Sequence, residues 1–137
     1  MSTLFGEEHV RRYRETDGED GYIWKEGSTI LLLTVTGRKS EREYTKPLIF
    51  GRDGENYVIV ASQGGRPRHP DWYLNLVANP EVGVQVKGEV FRARARTAEG
   101  EERERLWRMM NGIWRHYDEY QQRTERKIPV VVLEPID

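Results

Sequence analysis

Apolar residues follow two rhythms along this chain. In Ile30-Leu31-Leu32-Leu33-Thr34-Val35-Thr36 and Tyr57-Val58-Ile59-Val60-Ala61 they run almost unbroken, as in strands buried on both faces. Further on they alternate with polar residues. Val82, Val84 and Val86 share one face of a strand; Phe91, Ala93 and Ala95 lie opposite Arg92, Arg94 and Arg96 on the next. Residues 43–50 read as another strand, where Pro47 argues for a sheet edge or a bulge. Residues 128–133 read as the last one. Arg52-Asp53-Gly54-Glu55 is a hairpin signal of the Asp-Gly kind.

Helical spacing appears in three places. Residues 70–78 fit a short helix with Pro70 at its start, where a missing N–H costs nothing, and Asn79-Pro80 ends it. Thr97 is placed to cap a longer helix, in which Leu106, Met109, Met110 and Ile113 recur at i, i+3, i+4 and i+7. The helical signal continues less clearly through Tyr117 and Tyr120. A third short helix fits residues 7–13, before Asp17-Gly18-Glu19-Asp20-Gly21 breaks it.

Short turns between successive strands favour antiparallel pairing. About six strands with few long crossovers predict a mainly β, α+β fold: an antiparallel sheet curled into a barrel, with a short inserted helix and a helical segment before the last strand. Two units are expected, a polar arm over residues 1–27 and a barrel domain over 28–137. The arm is expected either to be mobile or to fold over a site.

Composition narrows the chemistry. A length of 137 residues and 36% hydrophobic content suit one core, not two. Lys plus Arg total 22 against 23 Asp plus Glu, so there is no global pull toward nucleic acid or anionic lipid, and any anion site must be local. The absence of cysteine excludes disulfides, thiolate catalysis and cysteine-held metals. His9, His69 and His116 show no metal-ligand spacing. No Gly-x-Gly-x-x-Gly fingerprint is present, and Ser62 lacks a nucleophile elbow. No apolar stretch reaches bilayer length, and residues 1–14 lack the apolar core of a signal peptide. A cytoplasmic protein is expected, with a peripheral membrane contact of the arm left open.

Four segments carry candidate chemistry, and each also has a plainer reading. Gly37-Arg38-Lys39-Ser40 can hold an anion through side chains and backbone amides, or be a solvated hairpin tip. Ala61-Ser62-Gln63-Gly64-Gly65-Arg66 leaves a buried strand for a loop that lets backbone approach a flat ligand, or merely connects two elements. Trp72, Asn75 and Leu76 fall within one helical turn, for ring stacking or for core packing. Trp114, Tyr117 and Tyr120, three residues apart, form an aromatic wall with two phenol donors, or a partly buried helix face.

The order and wording of these segments carry more than any one of them. Leu32-Leu33-Thr34-Val35-Thr36-Gly37-Arg38-Lys39-Ser40, Pro47-Leu48, Asp53-Gly54, Ala61-Ser62-Gln63-Gly64-Gly65, Pro70-Asp71-Trp72-Tyr73-Leu74-Asn75-Leu76, Asn79-Pro80, Tyr117 with Tyr120, and Ile128-Pro129-Val130 together resemble the deazaflavin-dependent nitroreductase family over about residues 29–135. The resemblance implies a split β-barrel like that of FMN-binding proteins. It implies coenzyme F420, an 8-hydroxy-5-deazaflavin with a phosphate and an oligoglutamate tail, in preference to FMN. The implied activity is hydride transfer from reduced F420 to a small-molecule acceptor such as a quinone or nitroaromatic. The alternative is a non-catalytic coenzyme-, heme- or lipid-binding protein on the same barrel. No nucleic-acid partner is implied, and a monomer or homodimer is expected.

The same resemblance assigns residues. Gly37, Arg38, Lys39 and Ser40 would hold the anionic tail. Tyr44, Lys46 and Pro47 on the following strand, with Gln63, Gly64 and Gly65 of the loop, would complete the coenzyme site. Ala61, Ser62, Trp72 and Asn75 would contact the ring. Tyr117, Tyr120 and Ser62 would serve catalysis, and no metal is expected. The match departs at Glu41, where members continue Ser-Gly, and at Tyr44 and Lys46, where members often carry Arg and Asn. It departs again at Ile49, where some carry Tyr, so tail contacts and acceptor preference are expected to differ.

Overall fold

The unbroken apolar runs become the inner strands of one antiparallel sheet. In the computed structural model, which describes residues 4–136, the strands are β1 (Ile30–Thr36), β2 (Glu43–Ile49), β3 (Gly51–Asp53), β4 (Asn56–Val60), β5 (Glu81–Val86), β6 (Glu89–Thr97) and β7 (Val130–Ile136). Their order in the sheet is β2-β1-β5-β6-β7-β4-β3. Pro47 sits on β2, an edge strand, as its missing N–H requires.

The sheet has one strand more than expected: the predicted strand ends at Ile49, and Gly51–Asp53, entering the predicted hairpin turn, forms a short strand of its own. The β1 ladder ends at Ile30 opposite Ile49, and Phe50 turns its N–H to Thr29 O at 3.1 Å. The chain resumes as β3, paired with β4 around Gly54-Glu55. This break closes the barrel. β2 and β3 lie at opposite ends of the sheet order, yet only Phe50 separates them. Six inter-strand gaps of about 4.8 Å would put them roughly 29 Å apart in a flat sheet. One residue spans about 3.5 Å, so the sheet must curl until its edges meet.

Side chains sort onto the two faces of the curled sheet. Leu31, Leu33, Val35, Tyr57, Ile59, Val82, Val84, Ala93, Ala95, Val131 and Leu133 fill the interior, and Trp72 and Leu76 of α2 (Asp71–Ala78) join them. The opposite face of β4 and β7, with Val58, Val60, Val130 and Val132, is covered by Leu106 and Met110 of α3 (Gly100–Ile113) and Tyr117 of α4 (Tyr117–Gln122). Gly51 permits this contact: a Cβ there would lie 2.7 Å from Met110 Sδ and 2.8 Å from Ile113 Cδ1. The predicted stripe holds, with Leu106 and Met110 buried and Met109 and Ile113 packed beside them. Thr97 does not cap α3. It ends β6 and bonds Tyr73 through its hydroxyl at 2.8 Å, while Glu99 precedes the helix.

The polar arm contributes α1 (Gly6–Glu15), which lies on the outer face of β1. His9, Val10 and Tyr13 form its buried stripe. The Tyr13 phenol is fully buried, donating to Ile30 O at 2.9 Å and accepting from the Lys87 N–H at 2.7 Å. It therefore ties the helix to β1 and to the β5–β6 turn. Among the described residues no helix is long and apolar enough to cross a membrane.

Candidate functional site

Two hollows open side by side at the end of the barrel, and Lys46 and Trp72 line both. The first, about 400 Å³, is mainly apolar. Its walls are Pro47, Leu48 and Ile49 of β2; Val60, Ser62, Gln63 and Gly64 at the end of β4; Pro70 and Trp72 at the start of α2; and Trp114, Tyr117 and Tyr120. Phe5, Gly6, His9 and Trp24 of the N-terminal segment complete it. The second, about 480 Å³, is lined by Gly37, Arg38, Lys39, Ser40, Tyr44, Arg68, Asp71 and Asn75 besides the shared pair. It thus carries four cationic side chains (Arg38, Lys39, Lys46 and Arg68) against the single carboxylate of Asp71.

The turn after β1 is built around one buried amide. Asn75 Oδ1 accepts from the Arg38 backbone N–H at 3.1 Å and from Arg38 Nη1 at 2.7 Å. The guanidinium also lies 3.5 Å from Asp71 Oδ1. Gly37 has no room for a side chain, since a Cβ would meet Ser40 Oγ at 2.6 Å and the Tyr44 ring at 2.8 Å. Ser40 and Tyr44 join hydroxyls at 2.9 Å across the turn.

Glu41 occupies the left-handed region, with φ of 61°. The glycine of the Ser-Gly pattern would be unstrained in that conformation, whereas a glutamate costs roughly 1–2 kcal/mol. Glu41→Gly should therefore stabilise the fold, by a net amount on the order of 0.5–1 kcal/mol after the extra chain entropy of glycine is subtracted. Thermal unfolding should move up by about 2–4 °C. An unchanged or lower Tm would show that the turn relaxes around Glu41 at no cost.

Most predicted site residues converge. Lys46, Pro47, Ser62, Gln63, Gly64, Trp72, Tyr117 and Tyr120 share the first hollow, and Gly37, Arg38, Lys39, Ser40, Tyr44 and Asn75 the second. Ala61 does not reach either. It is fully buried in the barrel interior, and its N–H donates to Pro129 O at 2.9 Å. Gly65 is also buried, because the loop turns there onto α4: a Cβ would lie 2.5 Å from Tyr120 O. Asn75 lines the second, cationic hollow and not the first, and its amide oxygen holds Arg38.

The aromatic wall assembles although Trp114 lies outside α4. Trp114 Nε1 donates to Tyr120 Oη at 3.4 Å, and the Tyr117 and Tyr120 rings meet edge to face at 6.2 Å. Burial, and secondarily Tyr120, pushes the Tyr117 phenol well above the usual tyrosine range. It therefore remains a donor at any physiological pH.

Several lining residues had little signal in the sequence. His9 sits in a segment whose composition is polar, and its Nε2 meets Gly21 O at 2.8 Å. Its recurrence with Val10 and Tyr13 at helical spacing was the available clue. Trp24 stacks on Trp114 at 5.7 Å and donates Nε1 to Leu4 O at 3.0 Å. The single turn Lys25–Gly27 is clasped to the α3–α4 junction: Glu26 takes Arg115 Nε at 2.8 Å and His116 Nε2 at 2.8 Å, and His116 Nδ1 lies 3.3 Å from Glu119.

The clasp makes a pH prediction. Hydrogen bonds to Glu26, then to Glu119, raise the His116 pKa, and the bonds from His116 and Arg115 lower that of Glu26. The imidazole contribution is complete below the ordinary histidine value of about 6.5 and is lost as pH rises through the raised one. The carboxylate contribution is complete above the ordinary glutamate value and is lost as pH falls through the depressed one. The clasp is therefore firmest between about pH 4.5 and 6.5. In Glu26→Gln the His116 midpoint, followed by NMR, should fall toward 6.5; an unmoved midpoint would mean that the pair does not form in solution.

Comparisons with known proteins agree along almost the whole chain. Residues 5–135 match the model of a family described as F420H(2)-dependent quinone reductase. An F420H(2)-dependent quinone reductase of Mycobacterium tuberculosis (strain ATCC 25618 / H37Rv) is 42% identical over 128 residues, covering 91% of this chain and 86% of that protein. Among solved structures, an F420-H2 dependent reductase (FDR-A) superposes with a TM-score of 0.72 at 44% identity, over 77% of this chain and 93% of the other. HutZ, a heme storage protein from Vibrio cholerae, superposes with a TM-score of 0.63 at 16% identity, over 98% and 92% of the two chains, and shares the fold alone.

Proposed function

The chain belongs to the F420H(2)-dependent quinone reductase family, and we propose that it takes hydride from reduced coenzyme F420 and delivers it to a quinone or a similarly activated small-molecule acceptor. One observation carries this reading: an apolar hollow of about 400 Å³ runs into a cationic one through Lys46 and Trp72. A flat ring that carries a polyanionic tail needs that pairing.

The residues fit the coenzyme. Arg38, Lys39, Lys46 and Ser40 would hold the tail, and Arg38 is pre-set by Asn75 before any ligand arrives. Pro47, Trp72 and the Ser62–Gly64 segment would hold the ring. When bound, reduced F420 supplies the hydride. The acceptor also needs a proton, or a hydrogen bond to its oxygen as charge develops, and the Tyr117 and Tyr120 hydroxyls supply that donor. The apolar walls, with Phe5 and Trp24 on the N-terminal side, exclude water from the acceptor.

The carrier alternative has less support. A heme would need an axial ligand, and His9, the histidine that lines the apolar hollow, has its Nε2 engaged by Gly21 O at 2.8 Å. A homodimer is the assembly to test first, since a solved relative 40% identical is described as a domain-swapped dimer. Titration with oxidised and reduced F420 and with FMN, read by tryptophan quenching, tests the reading, because Trp24, Trp72 and Trp114 line the hollow. F420 should quench, and F420H2 should then be oxidised by menadione. Tight FMN binding without an F420 signal would overturn the proposal.

A further inference from the structure

Arg126 lies between the aromatic wall and β7 and lines neither hollow, yet its side chain reaches back to the loop that follows β4. Nε donates to Arg66 O at 2.8 Å. Nη2 donates to Ser62 O at 2.7 Å, and Nη1 to Ala61 O at 3.2 Å and His69 Nδ1 at 3.0 Å. One planar cation thus takes four acceptors spread over residues 61–69. An arginine fork can do this and a lysine cannot. His69 accepts only as a neutral imidazole, and burial, then the Arg126 charge, lowers its pKa in that direction.

The loop needs such a tie. Gln63, Gly64 and Gly65 stand in the left-handed region in succession, with φ of 46°, 65° and 80°. Only two single-turn backbone bonds hold them from within, Gly65 N–H to Ser62 O and Arg66 N–H to Gln63 O. Arg126 is itself held by Gln121 of α4, whose Nε2 donates to Arg126 O at 2.8 Å. Gly65 then abuts Tyr120 O, and Arg123 Nη1 reaches Gly64 O at 3.4 Å.

We propose that Arg126 is a positioning residue: it locks the Ser62–Gly64 wall of the apolar hollow in a fixed relation to Tyr117 and Tyr120 on the facing wall, so that coenzyme and acceptor sides are set by one side chain that touches neither ligand. The proposal rests on reading this hollow as the site of the coenzyme ring. It makes hydride transfer sensitive to a residue outside the site, because small misplacements of reacting groups are costly.

Hydrogen exchange and kinetics on Arg126→Ala and Arg126→Lys test it. In Arg126→Ala the 61–69 segment should exchange faster while β4 and β7 keep their protection. F420 dissociation constants should rise and kcat with menadione should fall, each by roughly 10–100-fold. Millimolar methylguanidinium should restore part of both, and Arg126→Lys should resemble Ala more than wild type. Loss of protection throughout the barrel would make Arg126 a general structural residue and overturn the proposal. So would unchanged exchange in 61–69, whether or not the protein binds F420. A loosened loop with wild-type affinity and kcat would overturn it as well. Wild-type protein that binds no F420 would sink the functional reading instead, and the exchange result would still decide whether Arg126 anchors the loop.

Discussion

Replacing Tyr117 and Tyr120 together by Phe should lower kcat for F420H2 oxidation by roughly 10²–10⁴-fold, the usual span of a lost proton donor, with coenzyme affinity near wild type. Both rings would keep their packing, since only the hydroxyls go. The two single changes should differ. Tyr117 is buried and held protonated by its surroundings, so its loss removes a donor and little else. Tyr120 also accepts from Trp114 Nε1, so Tyr120→Phe should in addition cost about 1 kcal/mol of stability. A fall in kcat with unchanged coenzyme affinity would mark an interaction made mainly in the transition state. Full activity of the double variant, with coenzyme bound, would reduce the tyrosines to a wall and hand the proton to water or another group.

Removing both cations of the first turn should weaken coenzyme binding by roughly 10²–10⁴-fold, from about 1.5–3 kcal/mol per charge-assisted contact. Arg38 should contribute most, since its side chain is 28% exposed and already oriented. Lys39 is exposed at the tip and its share should be smaller. Affinity should fall with salt in the wild type and much less in the double variant. Asn75→Ala is the informative companion: it removes no charge, yet should weaken binding by releasing Arg38. Asp71→Asn should act in the opposite direction by removing the one carboxylate in the cationic hollow. Unchanged affinity in the double variant would return the turn to a solvated hairpin tip.

What could be read before any coordinates follows how local each feature is. Pro47 narrowed its strand to an edge or a bulge because the rule concerns one N–H, and the strand is an edge. Phe50 did not announce the break at β2–β3, since nothing in its neighbourhood says that a barrel must close there. The residue types of Gly37 to Ser40 announced a cationic turn and left an anion site and a solvated hairpin tip both open. That Asn75, 37 positions from Arg38, would be its support was not legible. Glu41 stood out only as a departure, and its positive φ supplies the physical content. His9 and Tyr13 were hidden by the charges around them, although their spacing carried the helix stripe. Arg126 had no local signature at all: its partners lie 57 to 65 positions earlier, and only folding brings them to it.

The place of β7 in the sheet has a consequence for synthesis. It lies between β6 and β4, and its pairing with β4 joins Val60 to Val130, 70 positions apart. A ribosome that has delivered every residue up to 129 has therefore produced strands on both sides of a gap. β4 and β6 then show unpaired edges. Barrel closure must wait until residues 130–136 emerge, and contacts of such separation form slowly. During that interval the nascent chain is a template for any free strand. The segment that fills the gap in one copy fits the same gap in a neighbour. A chaperone that occludes the gap until residue 136 has cleared the tunnel would favour self-closure, and crowded polysomes would favour exchange between chains.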